Sequence, residues 1–477
     1  MNKKFILFAL AIVLVQGISL SFFLRADQTG LFGDTEIPDT GTYRNILAAW
    51  KTPDLAPPGY RERVLLPAFM EVAGWFSDDP RSVGWLMLPF HGLTAVSIGY
   101  LARRLSGREI SAWIAGFLYL VFPAGYLYAP EQSTDYLHAQ LMMIALALTV
   151  AWTNKTGRTL FVLSILFWCL CQLCRPSLFY VFPVLAVLAW PCWLTLQGQT
   201  RRVSFALFLL AGIAIPGYWV LSNAQVFGVS TPSLQAAELL HRCVIPASNV
   251  LRASERDPSL HFTPLWHHFR EIEARENPSY VALSIYDVGP VPENFAANYK
   301  SVMSGAKKHI AEYARYVARA MGMELHRQLV SFAPAKRSAP WLHASYSYRF
   351  YQLLLLAGIL GAAVAAGRRQ WLIMLAVLML VALIMIPASF NWWGGHRMRL
   401  PLDLVLLVFA AVALSTRASL AGVAAILLAG VIPVKILGLS SWWLAIGCFA
   451  GAGIVYLLVS RQVSTTGNSS TPSALPP

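Results

Sequence analysis

Charge is scarce in this 477-residue chain: 13% of residues are Asp, Glu, Lys or Arg, and 57% are hydrophobic. Soluble domains run nearer a quarter charged, so a string of soluble globular domains is excluded. Acid is scarcer than base, 23 Asp and Glu against 37 Lys and Arg, and it is confined. Nine acids fall between Asp27 and Asp79 and ten between Glu238 and Glu324, leaving only Glu109, Glu131, Asp135 and Asp403 elsewhere. The six Cys are scattered, and all but Cys243 lie in or beside apolar runs, so no disulfide framework follows. Cys171 to Cys174 spells C-x-x-C but ends an apolar stretch and has no second pair, which reads as packing rather than metal or redox chemistry. No Gly-rich phosphate loop of Walker type occurs, which argues against nucleoside triphosphate hydrolysis. Asp39-Thr40-Gly41 matches the aspartic-protease triplet, but that chemistry needs two carboxylates sharing a proton and there is no second copy. No internal repeat points to an inverted-repeat transporter.

What the chain has in quantity is apolar length. Runs fall at about 5–24, 84–102, 109–128, 135–152, 159–174, 177–196, 203–224, 350–366, 370–388, 400–415, 418–438 and 441–460, each bounded by charge or turn residues. The expected fold is an all-α integral membrane protein of about 12 transmembrane helices, within a range of 11 to 13. The first run follows Asn2-Lys3-Lys4, is long for a signal peptide and ends in a poor cleavage site, so it reads as an uncleaved span. With the amino terminus cytoplasmic, Lys3/Lys4, Arg103/Arg104/Arg108, Lys155/Arg158, Arg201/Arg202, Arg368/Arg369, Arg417 and Arg461 all fall on one side, a positive-inside pattern. The net charge of +14 is thereby a matter of topology, and no nucleic-acid partner is expected.

The organisation follows: a first transmembrane helix (1–24), an external loop (25–83), spans two to seven (84–224), a large external loop or cap (225–349), spans eight to twelve (350–460), and a Ser/Thr/Pro-rich disordered cytoplasmic tail (461–477). In the first loop, Tyr43, Ile46, Leu47 and Trp50 make the i, i+3, i+4, i+7 stripe of a short amphipathic helix capped by Asp39 or Thr40, and Val64–Phe76 repeats the pattern. Both are expected to lie along the outer membrane surface. The large loop reads as helix-rich, with Phe295–Val330 a long basic amphipathic segment. It holds seven of the ten His, but His261, His267 and His268 fit no zinc spacing and read as loop histidines.

Candidate chemistry therefore gathers on the outward side. Asp34, Glu36 and Asp39 follow the first span, where a carboxylate can take a proton from a hydroxyl or hold a divalent cation. Arg61, Arg63, Arg175, Arg397 and Arg399 also fall at outward membrane ends, where the orientation bias makes Arg scarce. A guanidinium can grip phosphate with two parallel hydrogen bonds, or it can snorkel to water or lipid headgroups. Glu131 and Asp135 stand where span four begins, either as functional acids or as carboxylates suited to a helix N-terminus. Asp403 reads as an ion-pair partner for Arg397 or Arg399.

Taken in order, Asp39 and Tyr43 before an Ala-ended helix, Tyr60-Arg61-Glu62-Arg63-Val64-Leu65-Leu66-Pro67, Phe122-Pro123 through Glu131, Cys174-Arg175-Pro176, and His396-Arg397-Met398-Arg399-Leu400-Pro401 resemble the polytopic GT-C glycosyltransferases. That group includes the protein O-mannosyltransferases and the aminoarabinose transferase of lipid A. The resemblance implies a polyprenyl-phosphate sugar donor, inversion at the anomeric carbon, and a glycan, lipid or protein acceptor in contact with membrane lipids. It implies a catalytic acid in the first external loop, Asp39 first with Asp34 and Glu36 in reserve, and a divalent cation such as Mg or Mn on Asp39 and Glu36 as the alternative use of those acids. Arg61, Arg63, Arg175, Arg397 and Arg399 are the donor-phosphate candidates, supported by Tyr43, Tyr60, Glu131, Asp135 and His396. One departure is that Thr40 follows Asp39 where many relatives carry Asp-Glu. The expected setting is a bacterial inner membrane with both termini cytoplasmic and the site facing the periplasm. Two other readings stand beside this one: a polysaccharide polymerase or ligase, which needs Arg and His in a late loop, and a lipid-linked oligosaccharide flippase or transporter, which needs ionisable residues near the midplane.

Overall fold

A computed structural model describes residues 3–28, 43–48, 62–79, 82–122, 134–155, 157–175, 179, 199–234, 237, 240, 244–257, 293–330, 344–368, 400–432 and 442–467. Among them every regular element is helical: α1 (Lys3–Gln28), α2 (43–48), α3 (Leu65–Gly74), α4 (Val83–Leu86), α5 (Leu88–Ser106), α6 (Ile110–Leu120), α7 (Thr134–Lys155), α8 (Arg158–Cys174), α9 (Gln199–Phe227), α10 (Ile245–Arg256), α11 (Phe295–Glu312), α12 (Ala314–Val330), α13 (Ala344–Gly367), α14 (Leu400–Leu414), α15 (Ala418–Ile426) and α16 (Trp442–Gly467). Six stretches are long and apolar enough to cross a bilayer, Lys3–Phe22, Val83–Ser106, Thr134–Trp152, Ala206–Phe227, Phe350–Gly367 and Ile446–Ser464, while Ile110–Leu120 and Arg158–Cys174 are shorter apolar helices. The spans expected at 177–196 and 370–388 lie outside the described residues.

The bundle is built around α7, whose membrane-length window is 83% buried, against 28% for α1 and 22% for α16 at the periphery. Helices α5, α8 and α14 pack on α7, and α1 and α6 pack on α5. Two further contacts depend on absent side chains. At Gly361 in α13 an added Cβ would collide with the backbone carbonyl of Phe409 in α14, and Gly422 in α15 faces Gly451 in α16 so closely that a Cβ on Gly451 would lie 2.7 Å from the Gly422 carbonyl oxygen. Small residues of this kind let membrane helices approach to backbone distance, where dispersion and weak polar contacts replace the missing hydrophobic drive.

One expectation is corrected. The runs at 400–415 and 418–438 read as separate spans, but α14 and the helix from Ala418 to Ala429 meet at a bend of 110°, a broken span or re-entrant loop. The hydroxyls of Ser415 and Thr416 both bond back to Val412 O, at 2.8 and 2.9 Å, competing with continuation of the helix. The amphipathic segment Phe295–Val330 forms two helices, α11 and α12, that meet at Tyr313. There α10 packs on α12 through Ala247, Val250, Leu251 and Ala320, and Glu255 pairs with Arg315 and Arg319 at 2.7 and 3.0 Å. The Tyr316 hydroxyl and these two guanidiniums hold the Glu255 carboxyl below its ordinary range.

The backbone contact at Gly361 yields a test. Gly361→Val should separate α13 from α14 and lower the thermal unfolding midpoint of the detergent-solubilised protein by several degrees, overpacking costs being about 1–3 kcal/mol. Gly453→Ala, which places a Cβ with nothing within 4 Å, should leave the midpoint where it is.

Candidate functional site

One end of the helix bundle, the end expected to face outward, carries the main buried polar group. The turn before α3 places Glu62 and Arg63, 0% and 7% exposed, on the bundle rather than in solvent. Pro67 sits in the first turn of α3, where its missing N–H costs nothing. A guanidinium only donates, so Arg63 Nη1, 2.9 Å from Tyr43 Oη, makes that oxygen the acceptor. The Tyr43 and Thr134 hydroxyls share a hydrogen bond at 2.8 Å, and Thr134 Oγ1 also lies 3.5 Å from Arg63 Nη1. Tyr43 belongs to α2 and Thr134 opens α7, so one guanidinium gathers three segments far apart in the chain.

Beside this group, Asp135 and Arg175 form an ion pair, with Asp135 4% and Arg175 15% exposed. Local sequence explains both positions. Asp135 lies in the first turn of α7, where the helix dipole favours a carboxylate. Arg175 precedes Pro176, which bars it from helical geometry; its φ/ψ of −154°/129° ends α8 and turns the side chain towards the start of α7. The Cys174 thiol, at the end of α8, donates to Thr134 O at 3.4 Å.

Glu62 faces the other way. Its Oε1 accepts the Leu234 N–H at 3.3 Å, joining the first outer loop to the segment after α9. Burial lifts the Tyr299 phenol of α11 above its ordinary value, and the charge of Glu62 adds to that lift.

Below this rim runs a chain of buried polar groups inside the bundle. Gln16 of α1 donates through its amide nitrogen to Gly116 O at 3.2 Å, so its Oε1 faces His91 Nε2 at 2.9 Å. The network therefore assigns the His91 proton to Nε2 and leaves Nδ1 as acceptor for the Tyr136 hydroxyl at 2.7 Å, with the Tyr119 hydroxyl at 3.0 Å. Tyr119 and Tyr136 hydroxyls are 3.2 Å apart, and Gln140 Nε2 reaches Tyr119 at 3.5 Å. Tyr136 follows Asp135 directly, so this chain holds the first turn of α7 against α1, α5 and α6. One turn further along α7, His138 Nδ1 lies 3.3 Å from Cys171 O.

Of the residues singled out from sequence, Tyr43 and Arg63 are joined in one hydrogen-bonded group, and Asp135 and Arg175 are joined in the pair next to it. Asp34, Glu36, Asp39, Tyr60, Arg61, Glu131, His396, Arg397 and Arg399 lie outside the described residues. Asp403 is buried at the start of α14. Sequence reasoning missed Thr134, Glu62 and the His91 chain. Thr134 reads as an ordinary capping residue and Glu62 as a charge between two arginines, but His91, alone in an apolar run, carries the signal of an intramembrane polar group. Among the described residues no three His, Cys, Asp or Glu converge as metal ligands.

Fold and site together define an integral membrane protein with a buried, arginine-bearing polar site at one end of its helices. No protein-family model matches the chain, and no curated protein matches it. Among solved structures it is similar to the Archaeoglobus fulgidus oligosaccharyltransferase in the apo form, at 13% identity over 98% of this chain and 58% of that one with a TM-score of 0.47. A structure of AglB from the same organism with an inhibitory peptide and a dolichol-phosphate matches at 15% identity over 96% and 56%, TM-score 0.45. ArnT from Cupriavidus metallidurans bound to undecaprenyl phosphate matches at 14% identity over 88% and 80%, TM-score 0.31. The chain spans a little over half the length of the oligosaccharyltransferase.

The ion pair has a measurable consequence. Asp135→Asn leaves a largely buried guanidinium without its counter-charge and should cost about 3 kcal/mol. Pairing it with Arg175→Met should recover most of that loss. A double-mutant cycle of unfolding midpoints measures both; equal, additive losses would mean that the two side chains do not act on each other.

Proposed function

We propose that the chain is a GT-C type glycosyltransferase, transferring a sugar from a polyprenyl-phosphate donor to a glycan, lipid or protein acceptor on the outer side of a bacterial inner membrane. The observation that carries this reading is the buried Arg63–Tyr43–Thr134 group at the outward rim of an apolar bundle. A prenyl-linked substrate keeps its tail in the bilayer and presents phosphate and sugar at that level, where a buried guanidinium binds phosphate most strongly. Among the residues quoted for the family resemblance, Tyr43, Arg63 and Arg175 lie at this rim.

In the reaction, the acceptor hydroxyl attacks the anomeric carbon while its proton passes to the Asp39 carboxylate. The new C–O bond forms as the bond from C1 to the phosphate oxygen breaks, with inversion, and polyprenyl phosphate leaves carrying the charge that the outward arginines hold. Arg63 is the first of these, positioned by Tyr43; Arg61, Arg397 and Arg399 complete the set. Arg175, already paired with Asp135, orders the start of α7. Asp34 and Glu36 stand in reserve as proton acceptor, and Asp39 with Glu36 are the alternative ligands for Mg or Mn. A carrier would use the bundle's interior polar groups as a path, but both His91 nitrogens are closed by hydrogen bonds.

The test is transfer from a synthetic polyprenyl-phosphate sugar by the purified protein in detergent. Asp39→Asn should lower turnover by about 100-fold or more, in the range of general-base loss. Arg63→Ala should lower it comparably and weaken donor binding, whereas Tyr43→Phe should act mainly through Arg63 and give a smaller loss. Undiminished turnover by Asp39→Asn, with loss only through Arg399→Ala, would instead favour a ligase.

A further inference from the structure

The opposite end of the bundle holds a second polar constellation that the proposed reaction does not use. There α5 ends at Gly107, whose φ of +65° closes the helix in the left-handed conformation that favours glycine. The Arg368 guanidinium, just beyond α13, lies in the space a side chain at 107 would fill, its Nη1 2.8 Å from an ideal Cβ, and donates to Ser106 O. Arg108 donates to Ser415 O at the end of α14. Ser111 Oγ ties the two carbonyl-bearing turns together, 2.6 Å from Ser106 Oγ and 2.7 Å from Ser415 Oγ. Two guanidiniums are thus held side by side, each spending one N–H on a helix C-terminal carbonyl and keeping the rest of its donors.

Among the described residues the acid at this end is Glu109, which pairs with Arg103 at 2.6 Å. Helix C-terminal dipoles offset part of two full positive charges, since each is worth about half an elementary charge. Burial and then the neighbouring charge of Arg108 both disfavour the charged form of Arg368, the condition an added anion relieves. Beside the arginines stand apolar side chains with no protein cover: Ile110 is 53% exposed, Leu414 60% and Leu420 73%.

We propose that Arg108 and Arg368 form a binding site for a phosphate group at the end of the bundle opposite the Arg63 site. The adjoining apolar side chains favour an acidic phospholipid headgroup of that leaflet over free phosphate, because they take its acyl chains while the guanidiniums take its charge. Basic pockets between transmembrane helices bind lipid headgroups in this manner, and the planar forks suit phosphate oxygens.

Native mass spectrometry of the full chain in detergent tests the site, with cardiolipin, phosphatidylethanolamine and inorganic phosphate titrated separately. Cardiolipin adducts should form on the wild type at about tenfold lower concentration than on Arg108→Ala/Arg368→Ala, charge-assisted contacts being worth at least that factor. Arg417→Ala/Arg461→Ala, which removes two other charges of the same rim, should bind as the wild type does. If the alanine pair does not fold, Arg108→Lys/Arg368→Lys keeps the charges without the forks and should weaken binding severalfold. Saturation by inorganic phosphate with no gain from acyl chains would assign the site to free phosphate and overturn the lipid reading. Equal cardiolipin binding by wild type and both Arg108/Arg368 variants, or equal loss in Arg417→Ala/Arg461→Ala, would overturn the site itself.

Discussion

Burying one guanidinium organises one end of this helix bundle. A charge removed from water costs several kcal/mol unless its donors are met. Arg63 meets part of this demand through the Tyr43 phenol, which is itself hydrogen-bonded to Thr134. The three residues come from the loop helix α2, the turn before α3 and the start of α7, so satisfying one group draws the first outer loop onto the centre of the bundle. The adjacent residue works in the opposite direction: Glu62 accepts the Leu234 amide and ties the same turn to the second outer segment. Two consecutive side chains of opposite charge therefore clamp two loops to one helix end.

That clamp is useful only if α7 is itself held still. Below the rim, the hydrogen-bonded chain from Gln16 through His91 to Tyr136 has one self-consistent direction of donation, since Gln16 has already used its amide hydrogen on Gly116 O. Shifting α7 would break this chain at Tyr136 and the ion pair at Asp135 together. In an apolar interior the broken groups would find no water, which makes such a shift expensive. A binding site needs this kind of support, because positioning contributes to rate only when the supporting groups do not relax.

Much of this is legible in the residues, but unevenly. The helices are, because continuous apolar length has few other outcomes. Arg63 and Arg175 stand out as arginines on the side where orientation bias makes them rare, and Cys174-Arg175-Pro176 announces the end of α8. Asp135 is marked by its place at a helix start. Pairing is not legible: nothing local to Arg175 says that its partner is Asp135, 40 positions away in the chain, because that contact is made by the antiparallel packing of α7 on α8. Thr134 is hidden for another reason, since a hydroxyl at a helix start is ordinarily a cap. The bend between α14 and α15 escaped because Ser415-Thr416-Arg417 reads as a linker until both hydroxyls are seen turned back on Val412. In the second outer segment, the amphipathic period of Phe295–Val330 continues through Tyr313 although the helix does not.

The two ends of the bundle solve the problem of buried cations differently, and the difference is set by where acid is allowed. At the Arg63 end carboxylates and arginines occur together, so Asp135 can neutralise Arg175 and Glu62 can sit next to Arg63. At the other end Arg108 and Arg368 donate instead to backbone carbonyls at helix ends. Carbonyls satisfy hydrogen-bond donors without cancelling charge. An end built this way keeps a fixed positive field.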